Sequence, residues 1–158
     1  MEEPAILACV SLSEADRSTL LQHWSWCVPA GHHLVCVRQL GDAFLSAPDR
    51  SVWRLDAGGG TLERVADHEL QWRTKLRDPD TVDLWSGRVL VARLIQSGLS
   101  LAPGQCFTYR QSPILGGTYN PSNFKVVSVQ QHFATWGPLL ESIKDLPDGT
   151  KVKFVVTP

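Results

Sequence analysis

The chain has 158 residues, 43% of them hydrophobic and 20% charged, the proportions of a soluble globular domain. A chain of this length buries about 70% of the surface its unfolded form exposes, enough to fold without disulfides or metal. Fifteen Lys and Arg against sixteen Asp and Glu leave a net charge of −1, which gives no electrostatic footprint for nucleic acid, and no apolar run approaches the ~20 residues that a bilayer requires.

The chain opens on Met1-Glu2-Glu3-Pro4, acidic where a secretory leader or a transit peptide is basic, so a cytoplasmic location is expected. In that compartment Cys9, Cys27, Cys36 and Cys106 are expected as reduced thiols. Ser13-Glu14-Ala15-Asp16 reads as a capping box that opens a helix with Leu20, Leu21, Trp24 and Cys27 on its apolar face, stopped by Pro29-Ala30-Gly31. A meander follows. Leu34 to Leu40 is a strand, Gly41-Asp42 turns, and Ala43 to Ser46 returns. Ser51 to Leu55 alternates as a strand, Gly58 to Gly60 makes a turn, and Leu62 to Val65 pairs back. Asp67 caps a short helix through about Leu76. Past Pro79, Asp80 or Thr81 starts a longer helix to about Gln96, apolar on most sides and so expected at the centre of the fold.

Gly98 to Gly104 reads as a loop, Gln105 to Tyr109 as a strand, and Phe124 to Val129 as another, on its β-branched density. Phe133, Trp136, Leu140 and Ile143 keep a helical period, and capping that helix at Thr135 places Pro138 in the tolerated first turn. Asp145 to Gly149 is a stop and turn, and Lys151 to Val156 a last strand. This mixed order predicts an α+β fold: an antiparallel sheet of hairpins with helices packed on one face, its halves 1–78 and 79–158 joined in one compact unit.

Charge is unevenly distributed. Eleven acidic residues face eight basic ones before Pro79, whereas between Asp83 and Glu141 there is no carboxylate and only Arg88, Arg93, Arg110 and Lys125. Buried core and loops account for such a stretch, and so does a surface that meets a partner without like-charge repulsion.

Motifs for chemistry are absent. No Cys-x-x-Cys or His-x-x-x-His pair occurs; His23 with Cys27, followed by His32 and His33, lacks the second spaced pair of a zinc site, so no metal and no cofactor is expected. No serine lies in a nucleophile elbow. Gly58-Gly59-Gly60 lacks the Lys-Ser/Thr of a phosphate loop and reads as a hairpin turn. Asp78, Asp80 and Asp83 are explained as helix caps. Of the six tryptophans, Trp24, Trp85 and Trp136 fall on apolar helical stripes, while Trp53 beside Arg54 and Trp72 beside Arg73 are contact candidates if exposed.

Two stretches carry a resemblance. The first runs from Leu40-Gly41-Asp42-Ala43-Phe44-Leu45 through Ser51 to Asp56 and on to Leu62-Glu63-Arg64-Val65-Ala66. The second comprises Gly104-Gln105-Cys106-Phe107, Pro113-Ile114-Leu115-Gly116-Gly117-Thr118-Tyr119, Asn123-Phe124, Val129 to Phe133, and Lys144-Asp145-Leu146-Pro147-Asp148-Gly149-Thr150. Together they resemble the bacterial immunity family that protects against DNase effectors of type VI secretion, whose members join a GAD-like N-terminal part to this C-terminal domain, and more distantly the SUKH group.

The resemblance implies a non-enzymatic protein whose partner is a cognate toxin, with no direct contact to nucleic acid or membrane. Gly116 and Gly117 are expected to permit a tight turn at positive φ, Asn123 to satisfy loop backbone, and Pro147 and Gly149 to shape the later turn. Arg110, Tyr119 and Asn120 flank the Gly-Gly turn and are the expected partner contacts, together with Trp53 and Arg54. A net charge of −1 argues against DNA mimicry. Two other readings stay open: an interaction module of the same fold that regulates a host protein, and a small hydrolase using His132 with Arg110. The sequence carries no signal for oligomeric state.

Overall fold

The computed structural model describes residues 1–153. Four strands, β1 (His33–Val37), β2 (Ala43–Ser46), β3 (Val52–Asp56) and β4 (Thr61–Ala66), form an antiparallel meander in sequence order. Consecutive short connections produce it: Arg38 and Asp42 close the first turn through Arg38 N–H to Asp42 C=O at 2.8 Å, and Gly60 closes the third on the Asp56 carbonyl at 2.8 Å. Strands β5 (Gln105–Tyr109) and β6 (Phe124–Ser128) pair antiparallel in a sheet of their own. That sheet docks on the end of β1, where Phe107 N–H donates to the Gln39 carbonyl at 2.8 Å.

The α+β class and the antiparallel pairing are as expected. The helices, however, cover both faces of the meander. Side chains alternate along β2: Ala43 and Leu45 join a cluster with Trp24, Phe133, Trp136 and Leu140, while Phe44 points the other way against Trp72 and Trp85, at ring distances of 5.1 and 5.4 Å. The first cluster is roofed by α5 (Val129–Ile143), the second by α2 (Glu69–Lys75) and α3 (Pro79–Ser86).

Several boundaries differ from the sequence reading. Helix α1 (Glu14–Thr19) has the expected Ser13 cap, whose hydroxyl accepts from Asp16 N–H at 3.1 Å, but it ends before Leu20. The chain continues in turns that still deliver Leu20 and Trp24 to the core. His68, not Asp67, caps α2, its Nδ1 accepting from Gln71 N–H. The long helix over 80–96 is two helices, α3 and α4 (Arg88–Gln96), because Gly87 adopts φ 61° and breaks the run. Nor is it central: α4 buries Val91 and Leu94 and leaves Val89 and Ile95 exposed.

The largest correction concerns Pro138. Helix α5 starts at Val129, capped by the Ser128 hydroxyl accepting from Gln131 N–H at 3.0 Å, and Pro138 lies inside it. The helix tolerates a residue that donates nothing to the Ala134 carbonyl because it packs closely there. A β-carbon on Gly137 would come 2.8 Å from the His23 carbonyl, and the Trp24 indole donates to the neighbouring Phe133 carbonyl at 3.1 Å. Of the expected last strand, Lys151 to Lys153 are not in a strand, and the remainder lies outside the described residues.

Candidate functional site

A groove of about 570 Å³ opens between the β5–β6 hairpin and α5. Register decides what lines it. Thr108 stands opposite Lys125 in the pair, so both project from the face that α5 covers, and Arg110, two residues beyond Thr108, projects from the same side. Arg110 continues the ladder by one bond, its N–H donating to the Asn123 carbonyl at 2.7 Å. Helix α5 supplies the opposite wall with Gln131, Thr135 and Trp136.

The floor carries a buried polar network. The Thr108 hydroxyl accepts from the Trp136 indole at 2.9 Å and pairs with Nδ1 of His132 at 2.8 Å. His132 is 1% exposed, and burial pushes its pKa down to about 4, against a smaller opposing pull from Asp42. It is therefore neutral at physiological pH. Its Nε2 has no hydrogen-bond partner among the described residues and faces Gly41. The groove does bring Arg110 and His132 to one place, as the hydrolase reading requires, but with the imidazole sealed and Arg110 exposed at the rim.

Beside the groove lies the loop that holds Tyr119 and Asn120, both exposed. Asn123 pins it: its amide nitrogen donates to the carbonyls of Gln111 at 2.8 Å and Thr118 at 2.7 Å, and its oxygen accepts from Gln111 N–H at 3.0 Å. Gly116 has φ 90° at the turn, whereas Gly117 is held to glycine by a close approach. Any β-carbon on Gly117 would collide with the Gln111 carbonyl group. The Ser112 hydroxyl donates to the Gly58 carbonyl at 2.6 Å, tying this loop to the β3–β4 turn.

Residues 67–139 match the family model described as T6SS immunity protein Tdi1, C-terminal. Over that segment, a little under half of its length, the chain is similar to the C-terminal domain of a type VI secretion immunity family. No curated protein matches the chain. The matched immunity segment contains every residue that lines the groove, and it also contains the Asn123-pinned loop. Outside it, Pro147 and Gly149 line a second hollow of about 330 Å³ with Trp26 and Leu140, and Gly149 has φ 81°.

Trp53 and Arg54 lie on the meander and do not line the groove. Trp53 is half-buried, its indole donating to the Ser51 hydroxyl at 2.8 Å and its ring set edge-on to His32. Arg54 is engaged internally: its Nε and Nη2 donate to the Asp42 carboxylate at 3.0 and 2.6 Å, and the buried Arg38 donates to the same oxygen at 2.6 Å. Trp72 is fully buried, which removes it as a contact. The sequence names Lys125 only as part of the carboxylate-free interval from 84 to 140, which encloses the whole groove, and Trp136 only as core; Thr108 carries no signal of its own.

Among the described residues, no cluster of His, Cys, Asp or Glu is arranged to hold a metal, and no helix is long and apolar enough to cross a membrane.

Proposed function

We propose that this protein neutralises a cognate toxin of a type VI secretion system by binding it in the cytoplasm, without catalysis. The observation that carries this reading is the coincidence of the groove with the matched immunity segment. The character of the groove fits: its reactive-looking histidine is neutral and packed, and its accessible groups are suited to contact rather than to bond making. In this reading the GAD-like half, residues 1–78, supports the C-terminal half, 79–158, which meets the toxin. Arg110, Tyr119 and Asn120 stand at the meeting face. The toxin is a nuclease on the strength of the family resemblance, and the inhibitor blocks it by occlusion, since a net charge of −1 does not imitate DNA.

Co-expression tests this directly. The toxin gene neighbouring this one, expressed in a sensitive host, arrests growth, and this protein restores it. If no neighbouring toxin is bound or neutralised, the protein is an interaction module with another partner. Turnover of a substrate by the purified chain, lost on His132→Ala, would replace the reading by the hydrolase.

A further inference from the structure

The groove has a charge that nothing in the fold answers. Arg110 and Lys125 are both exposed at its mouth, and neither is in an ion pair with a described residue. Arg110, one residue past β5, and Lys125 on β6 are diagonal neighbours, a relation that sets residues about 7–8 Å apart, with their β-carbons somewhat closer. No carboxylate lines the groove, and none occurs between Asp83 and Glu141. Arg50, Arg77 and Arg93 are likewise in no ion pair with a described residue. What sets Arg110 and Lys125 apart is that both line one hollow with no carboxylate in it.

Between and beneath them the surface is mixed: apolar at Leu115, Val127 and Leu139, with donors and acceptors at Gln131 and Thr135. We infer that the groove receives an acidic segment of a protein partner, carboxylates at Arg110 and Lys125 and apolar side chains against Leu115, Val127 and Leu139. This rests on the immunity reading and names the chemistry of the toxin surface it requires. A polypeptide suits the groove better than a nucleic acid. Two cations neutralise few phosphates, the net charge is −1, and the one tryptophan lining the groove is buried with its indole committed to Thr108. His132 stays neutral above pH 6.5, so the positive charge of the groove is fixed by the two exposed side chains alone.

The test uses the full chain and a fluorescein-labelled peptide alternating Asp and Leu, with the same peptide carrying Asn for Asp and an oligothymidylate as comparators. Anisotropy should show binding of the acidic peptide that weakens with added salt and falls about tenfold or more in the double variant Arg110→Glu, Lys125→Glu, with an unchanged melting curve. Equal binding of the Asn peptide, equal binding by the double variant, or preference for the oligonucleotide would overturn the inference. The toxin arm separates the two claims. If the native chain rescues growth and the double variant rescues equally with equal affinity, the groove assignment falls and immunity stands. If the acidic peptide binds as described and no neighbouring toxin is neutralised, immunity falls and the groove assignment stands.

Discussion

The α-carbon of Gly41 faces the imidazole of His132 so closely that a β-carbon there would stand 2.8 Å from Cδ2 and nearer still to Cε1 and Nε2. Gly41 also holds φ 85° in the β1–β2 turn. Conformation and contact therefore demand the same residue for separate reasons. Gly41→Ala should cost about 1–3 kcal/mol through overpacking, with backbone strain in addition, measured by urea unfolding. A variant as stable as the native chain would show that the histidine is not lodged against this turn.

His132 also sets a pH dependence. Its folded pKa, about 4, lies below the unfolded value of 6.5, so above pH 6.5 it is neutral in both states and costs nothing. As pH falls from 6.5 to about 4 the unfolded chain takes up a proton that the native state refuses, and stability is lost, on the order of 3 kcal/mol when complete. Asp56 opposes this: burial, then Asp42, raise its carboxyl pKa, so the native state gains stability on acidification. The comparison that isolates the histidine is native chain against His132→Gln, unfolded in urea at pH 7 and at pH 5. The native chain should lose more.

Helix propensity and packing make opposite predictions at Gly137. Alanine is the better helix former by about 1 kcal/mol, yet its β-carbon would come 2.8 Å from the His23 carbonyl and 3.0 Å from the Trp24 indole nitrogen. Backbone cannot swing aside as a side-chain tip can, so packing wins and Gly137→Ala lowers the melting temperature. The Trp24 fluorescence should shift with it, since the bond to Phe133 lies in the same contact.

Asn123 holds the loop that carries Tyr119 and Asn120 through three hydrogen bonds, two of them to Gln111. Asn123→Ala should cost about 1–2 kcal/mol and should raise amide exchange between residues 111 and 119 while leaving the meander protected. Asn123→Asp is a sharper variant: it retains the acceptor for Gln111 N–H and places carboxylate oxygen against two carbonyls, so it should be the less stable of the two.

Local signals made much of this fold readable from the chain. The meander strands, the Ser13 cap and the β5 and β6 segments are each dictated within a few residues, by alternation or by a hydroxyl at the right offset. What was hidden depends on distant partners. Pro138 looks forbidden in mid-helix until the Trp24 segment is seen packed beside it, and a cap at Thr135 is the reasonable inference without that contact. Gly87 is one glycine in an apolar run, and only its left-handed conformation shows that the run is two helices. The groove was least legible, because Thr108, Lys125 and Trp136 look ordinary until register and burial set them around one space. Arg110, Tyr119 and Asn120 are proposed from loop position alone, while the ion pair of Arg54 is illegible in the sequence because its partner Asp42 lies twelve residues away in the β1–β2 turn.

The Trp24 to Phe133 hydrogen bond spans 109 residues. The meander can form from neighbouring hairpins as soon as they exist, but the groove has one wall from the middle of the chain and another from near its end, braced by a segment from its beginning. A fragment cut ahead of α5 thus loses one wall of the groove and the roof over one face of the meander together.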